Sequence, residues 1–456
     1  MPTGFVDREG RTPKESEMPL KAKLAFPDEP QRFPDDRDAL VRKTERTEIQ
    51  KQITHLAQFP NDKQRQRKVV DRLASGCQAR GLPSFAELST GTVPALALQE
   101  FVVRTVDFER ADVQGVIKKF RLSDEPVDLL GREVIRLTLP PGGKFPAVNA
   151  AITTLPIVPN YLVPLGGWTK GKGGPEPTAC RPELRPPGAT RIQVAVIDTG
   201  LGGRTDGWLQ GLTNPELDPQ YPDPNMPTLG LAAGHGTFVA GIVQRVESST
   251  DIRMYQGLDI DGVGDDIAVG VKIEQAAKDG AQIINLSLGT QTVDDKPPPG
   301  IEAGIRRAIE INENILIVCA AGNYGDTRRV WPAAFSLTFP KNVIAVAALN
   351  AQGEKPEPEW STHGDWVRIS TIGEGIVSTY VKGIEDPIVE DPPDEFPANA
   401  WAVWSGTSFA APQIAGTVAS ICLTDKVEPT EAINTLKDRG TPIPGYGVGV
   451  EILPGT

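Results

Sequence analysis

The sequence contains few residues that bind transition metals or form disulfides. Its 456 residues include only three histidines, His55, His235 and His363, and four cysteines that lie far apart. Because neither an HExxH nor a CxxC motif is present, we do not expect a zinc site. A disulfide scaffold needs a higher cysteine density, so we interpret the cysteines as free thiols.

Long apolar segments are also missing. The longest apolar runs, such as Ile315–Ala321, are far too short to cross a bilayer. Residues 1–19 contain no apolar stretch of the kind found in a secretory signal. We therefore expect a cytoplasmic protein that does not contact a membrane.

The sequence has no excess of positive charge. It contains 59 acidic and 47 basic residues, which gives a net charge of -12. Nucleic-acid binding requires a cationic surface, so nucleic acid is not expected as the main partner. Residues 1–90 carry 17 basic and 14 acidic residues (+3), which leaves 30 basic and 45 acidic residues (-15) for the remainder.

The chain divides into four segments of different composition. We assign residues 1–90 to a charged N-terminal extension, 95–165 to a small α+β unit, 166–188 to a Gly/Pro-rich linker and 189–456 to the main domain. Within the extension, Pro60-Asn61 separates two helical patterns, which predicts a helical hairpin. This hairpin is interpreted either as a solvated hairpin docked on the main domain or as a binding site for a partner protein.

Apolar segments alternate with helical patterns through the main domain. Strands are expected at Ile192–Ile197, Ile252–Gln256, Ile283–Leu286, Ile315–Cys319 and Val343–Ala347, with helices at Ile267–Lys278 and Gly300–Asn312. This alternation predicts an α/β fold in which helices flank both faces of a mostly parallel sheet. The active site of such a fold forms at the carboxyl ends of the strands.

Four short segments contain residues suited to acyl transfer. Asp198 ends the strand pattern in RIQVAVIDTGL, His235 lies between two glycines in AAGHGTFVAGIV, and Ser408 opens a helical pattern in WSGTSFAAPQIAG. Hydrolysis by a serine requires a base that removes the hydroxyl proton and a carboxylate that orients this base. In ILIVCAAGNYG, Asn323 follows a strand, and its amide can donate a hydrogen bond to an oxyanion.

In their order Asp, His, Ser, these segments resemble the motifs of the subtilases, the subtilisin-like serine proteases. The resemblance covers about Arg191–Leu423. It implies a catalytic set of Asp198 as orienting carboxylate, His235 as general base, Ser408 as nucleophile and Asn323 as oxyanion donor. This chemistry requires no cofactor. Many members of the family bind structural calcium, but the sequence does not allow us to assign its ligands.

The resemblance also implies two segments that bind a peptide substrate as an added strand. They look like DGVGDD and SLG, so that the expected contacts come from Gly262, Gly264, Asp265, Asp266, Ser287, Leu288 and Gly289. Main-chain pairing of this kind makes little demand on the substrate sequence. The two aspartates are interpreted either as favouring basic substrate side chains or as ordinary solvated acids.

The order and size of the elements in residues 95–165 resemble the inhibitory propeptide of subtilases. This resemblance implies that the unit packs on the main domain and that the linker is a cleavage region. The sequence thus predicts a serine endopeptidase that acts on proteins or peptides and is regulated by its N-terminal region. Two alternatives are a catalytically silent peptide-binding protein and an esterase that uses the same triad.

Overall fold

The computed structural model describes most of the chain. The described residues are 37–79, 84–88, 93–165, 174–210, 212, 215–219, 228–351, 357–386 and 392–455. The segment 1–34, which the sequence predicts to be extended or disordered, lies outside the described residues. So do residues 166–173 of the predicted linker.

The predicted helical hairpin is present. It consists of α1 (Ala39–Gln58), a 3-10 turn (Phe59–Asn61) and α2 (Lys63–Ala79). The carboxylate of Asp38 caps α1 by accepting hydrogen bonds from the N–H groups of Leu40 and Val41. The carboxylate of Asp62 accepts from the N–H of Arg65 in the first turn of α2. Aspartates therefore start both helices, because each leaves unpaired N–H groups at its amino end.

The small α+β unit follows the hairpin. Its elements are β1 (Phe85–Leu88), β2 (Ala95–Arg104), α3 (Thr105–Phe108), α4 (Ala111–Phe120), β3 (Ser123–Pro126), β4 (Val134–Thr138), α5 (Phe145–Ala151) and β5 (Ile157–Pro164). The strands form an antiparallel sheet in the order β3-β4-β2-β5, and β1 also pairs with β2. Phe101, Val113 and Leu137 are fully buried in a core that belongs to this unit.

The main domain contains the remaining elements. In chain order they are β6 (Glu176–Pro177), β7 (Ile192–Asp198), α6 (His235–Val246), β8 (Thr250–Gln256), β9 (Val263–Asp265), α7 (Asp266–Lys278), β10 (Ile283–Leu286), α8 (Pro299–Ile311), β11 (Leu316–Ala320), β12 (Val343–Leu349), β13 (Ile369–Ile372), β14 (Ile376–Thr379), β15 (Gly383–Ile384), β16 (Glu395–Phe396), β17 (Trp401–Trp404), α9 (Thr407–Asp425), α10 (Pro429–Asp438), β18 (Thr441–Ile443) and β19 (Gly447–Gly449).

The central sheet has eight strands in the order β18-β19-β13-β12-β11-β10-β7-β8. All neighbours pair in parallel except β18 and β19 at one edge. Alternate side chains of β7 point to opposite faces: Val194 joins an apolar cluster with α6 and α9, and Ala195 joins a second cluster with α7 and α8. The predicted α/β fold with helices on both faces of a mostly parallel sheet is therefore confirmed.

The α+β unit contacts the main domain through apolar packing and through strand pairing. Val102 and Val134 of the unit share an apolar cluster with Ile267 of α7 and Ala303 of α8. In addition, β5 pairs with β9 in antiparallel register, so the sheet of the unit continues into the main domain. The unit therefore has a core of its own and is attached to helices α7 and α8, to β9 and to the segment that follows β10.

Several elements differ from the sequence-based expectation. Strand β3 lies at Ser123–Pro126 and forms a hairpin with β4, whereas the sequence predicted a strand or hairpin only over Val127–Leu139. The described part of the predicted linker includes β6, which pairs with β17 in a three-stranded sheet with β14. Sequence reasoning missed both strands because β3 is mostly exposed and β6 has only two residues.

Candidate active site

The four predicted catalytic residues lie where strands of the central sheet end or where helices begin. Asp198 is the last residue of β7, and Asn323 follows β11. His235 is the first residue of α6, and Ser408 is the second residue of α9. Strands β7, β10 and β11 are parallel neighbours, so their carboxyl ends bring these segments to one edge of the sheet.

Asp198 and His235 form a buried pair. The Nδ1 atom of His235 lies 2.8 Å from Oδ1 and 3.0 Å from Oδ2 of Asp198. Both side chains are almost completely shielded from solvent, with 2% of His235 and 0% of Asp198 exposed. Because an ionised carboxylate only accepts hydrogen bonds, Nδ1 carries the hydrogen and Nε2 is left as the basic atom.

The turn before His235 depends on two glycines. Gly234 has φ +81°, and a Cβ at this position would lie 2.6 Å from the ring of Tyr380. A Cβ at Gly236 would lie 2.4 Å from the carbonyl oxygen of Gly200. Neither position accepts a larger residue. Gly236 lets α6 pack against the strand-end loop that carries Asp198, and Gly234 lets the turn pack against Tyr380.

Asp218 also supports this turn and was missed by sequence reasoning. Its Oδ2 atom accepts hydrogen bonds from the N–H of Gly234, at 2.7 Å, and from the hydroxyl of Thr199, at 3.1 Å. The Thr199 hydroxyl in turn accepts from the N–H of Gly236 at 3.1 Å. Asp218 lies in a loop without a motif, so no sequence signal indicates its role.

Ser408 faces β10 and the segment that follows it. Its hydroxyl donates a hydrogen bond of 3.2 Å to the carbonyl of Ser287, and its own carbonyl accepts one of 2.8 Å from the Ser287 hydroxyl. Among the hydrogen bonds of the described residues, none joins Ser408 to His235. In unliganded sites such a bond often forms only once substrate is bound.

Asn323 is fixed by the residue before the proposed nucleophile. Its Oδ1 atom accepts from the backbone N–H of Thr407, at 3.0 Å, and from the Thr407 hydroxyl, at 2.9 Å. The same hydroxyl accepts from the N–H of Gly322 at 3.1 Å. Because both contacts use the carbonyl side of the amide, the NH₂ group of Asn323 remains available as a donor.

Aromatic rings enclose the imidazole of His235. Trp404 packs edge-on against it, with ring centroids 5.4 Å apart and an interplanar angle of 86°. The ring centroid of Phe409 lies 5.5 Å from that of His235, and the two rings are tilted relative to each other. Since Trp404 and Phe409 flank Ser408 in the chain, these contacts hold the segment of Ser408 against the imidazole of His235.

The two predicted substrate segments hold a strand of the α+β unit. On one side, Val163 pairs with Gly264, and the N–H of Leu165 donates to the carbonyl of Gly262 at 3.0 Å. On the other side, Leu165 forms an antiparallel bridge with Leu288. The end of β5 therefore lies between the segments that the sequence assigned to a peptide substrate.

The carboxylate of Asp266 points to the start of α8. The side chain is fully buried, and its two oxygens accept from the N–H groups of Gly300, at 2.9 Å, and Ile301, at 2.7 Å, at the start of α8. Burial raises the pKa of this carboxyl group to about 7, against the opposing effect of the two N–H groups. The prediction that Asp266 contacts substrate side chains is therefore wrong, because the residue caps a helix inside the protein.

Asp265 also caps a helix. Its carboxylate caps α7 by accepting from the N–H groups of Ile267 and Ala268, each at 3.1 Å. It also accepts from the side chain of Asn160 in β5 at 3.1 Å. The half-buried Asp265 is therefore a helix cap and a contact to the α+β unit rather than an ordinary solvated acid.

Neither a metal cluster nor a membrane-spanning helix is found in the described part of the chain. There, no three His, Cys, Asp or Glu side chains are grouped so as to hold an ion. No such side-chain cluster among these residues identifies ligands for structural calcium. None of the described helices combines the length and apolar character needed to cross a bilayer.

Comparison with known families agrees with this geometry. The sequence model of the subtilase family matches residues 189–436, more than half of the chain. The chain belongs to the subtilase family. The match includes all four predicted catalytic residues and ends in α10, so the hairpin and the α+β unit lie outside it.

Two bacterial relatives are similar to this chain over about half of its length. The chain is 31% identical to the thermostable alkaline protease of Halalkalibacterium halodurans over 239 residues, which are 50% of this chain and 56% of that protein. It is 31% identical to thermitase of Thermoactinomyces vulgaris over 243 residues, which are 49% of this chain and 72% of thermitase. The chain thus spans little more than half the length of the alkaline protease.

A solved structure shares the fold over a larger part of the chain. Fervidolysin from Fervidobacterium pennivorans, a keratinolytic enzyme related to subtilisin, has a TM-score of 0.53 at 20% sequence identity. The similarity covers 77% of this chain and 60% of fervidolysin. The shared fold therefore extends beyond residues 189–436.

Proposed function

We propose that this subtilase is a serine endopeptidase with a catalytic triad of Asp198, His235 and Ser408 and an oxyanion donor at Asn323. The observation that carries the proposal is the buried 2.8 Å contact between His235 Nδ1 and Asp198, because it leaves Nε2 of a fixed imidazole as the base. Peptides and proteins are the proposed substrates.

In the proposed reaction, the Ser408 hydroxyl oxygen attacks the carbonyl carbon of the scissile peptide bond while Nε2 of His235 takes the hydroxyl proton. The oxyanion accepts a hydrogen bond from the amide of Asn323. His235 then gives its proton to the leaving amine as the C–N bond breaks. A water molecule hydrolyses the resulting ester of Ser408 by the same sequence of proton transfers.

Asp198 has two roles in this reaction. Its carboxylate fixes the imidazole tautomer, and it stabilises the positive charge that His235 carries between the two proton transfers. The low exposure of both side chains strengthens this electrostatic contribution, because little solvent screens the pair.

We further propose that the α+β unit inhibits the enzyme until the chain is cut between Leu165 and Gly174. The support is its position: β5 occupies the gap between β9 and Leu288, where an extended substrate would pair. A strand bound there through main-chain hydrogen bonds competes with a peptide for the same partners.

A serine-reactive fluorophosphonate tests the function directly. Wild-type protein should be labelled at Ser408 and should hydrolyse a casein-type substrate. The Ser408→Ala variant should do neither while keeping its fold, and any remaining catalysis of a bound substrate should be only about 10³–10⁴ over water. Wild-type turnover in Ser408→Ala would refute the assignment.

The same experiment separates the two alternatives. A catalytically silent peptide-binding protein would bind peptides without being labelled. An esterase would be labelled and would cleave small esters but not peptides. The pairing of β5 with both Gly264 and Leu288 favours peptides, since a small ester has no strand to pair.

A further inference from the structure

The helical hairpin is packed differently from the α+β unit. The unit has its own core, whereas the apolar side chains of the hairpin lie in clusters of the main domain. Leu56 belongs to the cluster on one face of the central sheet, and Phe59 belongs to the cluster on the other face. Ile49 packs in a third cluster with Trp401 and Val403 of β17. The hairpin is therefore built into the main domain.

A single polar side chain of α1 is fully buried in this contact. Gln52 is 0% exposed. Its Nε2 atom donates to the carbonyl of Gly174, at 2.8 Å, and to the carbonyl of Val403, at 3.1 Å. Its Oε1 atom accepts from the hydroxyl of Ser405 at 2.9 Å. Both ends of the amide are thus bonded to the main domain, and both Nε2 donors are used.

The partners of Gln52 lie on either side of Trp404, the residue whose ring packs edge-on against His235. Gln52 is bonded to the carbonyl of Val403 and to the hydroxyl of Ser405. It therefore fixes the backbone before and the side chain after the tryptophan. Through these contacts, α1 restricts the position of the ring that encloses the proposed base.

Further hydrogen bonds connect Ser405 and the residues after it to the surroundings of Ser408. The Ser405 hydroxyl also accepts from the N–H of Gly375 at 3.0 Å. Two residues further on, Thr407 bonds through its N–H and hydroxyl to Asn323, and Ser408 follows. The turn between β17 and α9 is therefore held at its first residue by Gln52 and at its last residue by Asn323.

We propose that Gln52 is a positioning residue for the reaction and that the hairpin is a permanent part of the active enzyme. This inference rests on the proposed function, because positioning has meaning only if Ser408 and His235 react. It divides the N-terminal region into two parts with opposite effects. The α+β unit blocks the cleft, and the hairpin holds the nucleophile turn in its reactive geometry.

The test compares variants of the full chain. Gln52→Met keeps most of the side-chain volume and removes every hydrogen bond of the amide. Gln50→Ala is the matched control, because Gln50 is an exposed residue of the same helix. Ser405→Ala removes the hydrogen bond to Gln52 from the main-domain side, together with the bond from the N–H of Gly375. For each protein, the rate of fluorophosphonate labelling, kcat and KM on a peptide, the melting temperature and the intact mass are measured.

Gln52→Met should lower kcat and the labelling rate by about 10- to 100-fold, because small displacements of reacting groups have effects of this size. KM should change by less than about threefold, since neither Gly262 nor Gly289 contacts Gln52 and uniform substrate binding is retained. Gln50→Ala should match the wild type. The double variant Gln52→Met/Ser405→Ala should lose less than the product of the two single losses, because both substitutions remove the hydrogen bond between Gln52 and Ser405.

Equal labelling rates in folded wild type and Gln52→Met would overturn the inference, and so would a change confined to KM. If Gln52→Met does not fold, Ser405→Ala decides: wild-type kcat in that variant overturns the inference, and a lower kcat at unchanged KM supports it. Failure of the proposed function looks different, because the wild-type protein itself would then not be labelled.

Discussion

The backbone carbonyl of Pro164, in the last position of β5, accepts a hydrogen bond of 2.9 Å from the N–H of Gly289. One residue later, the N–H of Leu165 donates to the carbonyl of Gly262. The chain thus bonds to two different segments of the main domain through the C=O and the N–H of a single peptide group, which point to opposite sides of the strand. This alternation is the pattern of a central strand between two neighbours, so the end of β5 fills a gap in the cleft rather than covering it from outside.

Val163→Asp should release the α+β unit from the cleft. Val163 is 0% exposed and shares an apolar cluster with Leu258 and Val269. A buried, unpaired carboxylate costs about 3 kcal/mol or more, which corresponds to roughly 100-fold in occupancy. Peptide hydrolysis by the uncut chain should therefore increase, as measured by initial rates on protein whose intact mass is unchanged.

The matched control for this prediction is Val106→Asp. Val106 is 82% exposed in the same unit, so the same substitution there buries no charge and should leave the rate at the wild-type level. An equal rate for Val163→Asp and the wild type would mean that β5 does not block the cleft.

Self-cleavage should shorten the wild-type chain but not Ser408→Ala. The predicted cut lies between Leu165 and Gly174, in the segment between the residue that is bridged to Leu288 and β6. Intact-mass spectra of both proteins after the same incubation measure this. Full-length mass in both, together with full activity of the wild type, would make the unit a permanent accessory domain.

Much of the site could be predicted because short motifs fix it. Asp198 and His235 each lie at the end of an element that a strand or helix pattern already locates, and the structure brings them within 2.8 Å. The parallel order of the central sheet follows from the strand and helix alternation. Local sequence is sufficient here because turn geometry and strand ends are set by a few neighbouring residues.

The remaining parts depend on contacts between distant segments. Gln52 bonds to residues more than 100 positions away, and its helix position gives no sign of this. The acidic pair of Asp265 and Asp266 is typical of a surface loop in the sequence. The burial of Asp266 depends instead on the packing of α8 against α7. Both cases show that the surroundings of a polar residue, rather than its type, decide whether it meets substrate.

Asn323→Ala should lower kcat by about 10²–10³ with little change in KM, since the lost hydrogen bond forms with the oxyanion. Removal of its Oδ1 also leaves the N–H of Thr407 without the partner that Asn323 provides. Fluorophosphonate labelling and peptide kinetics measure the effect, and the melting temperature reports any loosening of the turn. Wild-type kcat in a folded Asn323→Ala protein would remove Asn323 from the proposed reaction.

His55 should make the protein less stable as the pH falls. The ring is 7% exposed between α1 and α2, and its Nδ1 atom lies 2.7 Å from the guanidinium of Arg65. Because a guanidinium only donates, Nδ1 accepts and the ring is neutral. Burial lowers the pKa of His55 from 6.5 to about 3, with a further lowering by Arg65 and an opposing effect of Asp62.

The direction of the pH effect on stability follows from proton uptake by the unfolded chain. Between pH 6.5 and about 3 the unfolded chain binds a proton at this histidine and the folded chain does not, so the stability decreases with falling pH by up to about 1.4 kcal/mol per unit. His55→Gln retains an acceptor for Arg65 and cannot be protonated. Its free energy of unfolding, measured by denaturant titration at pH 7 and pH 5, should therefore fall less than that of the wild type. Equal decreases in the two proteins would show that His55 is already protonated, or accessible to protons, in the folded hairpin.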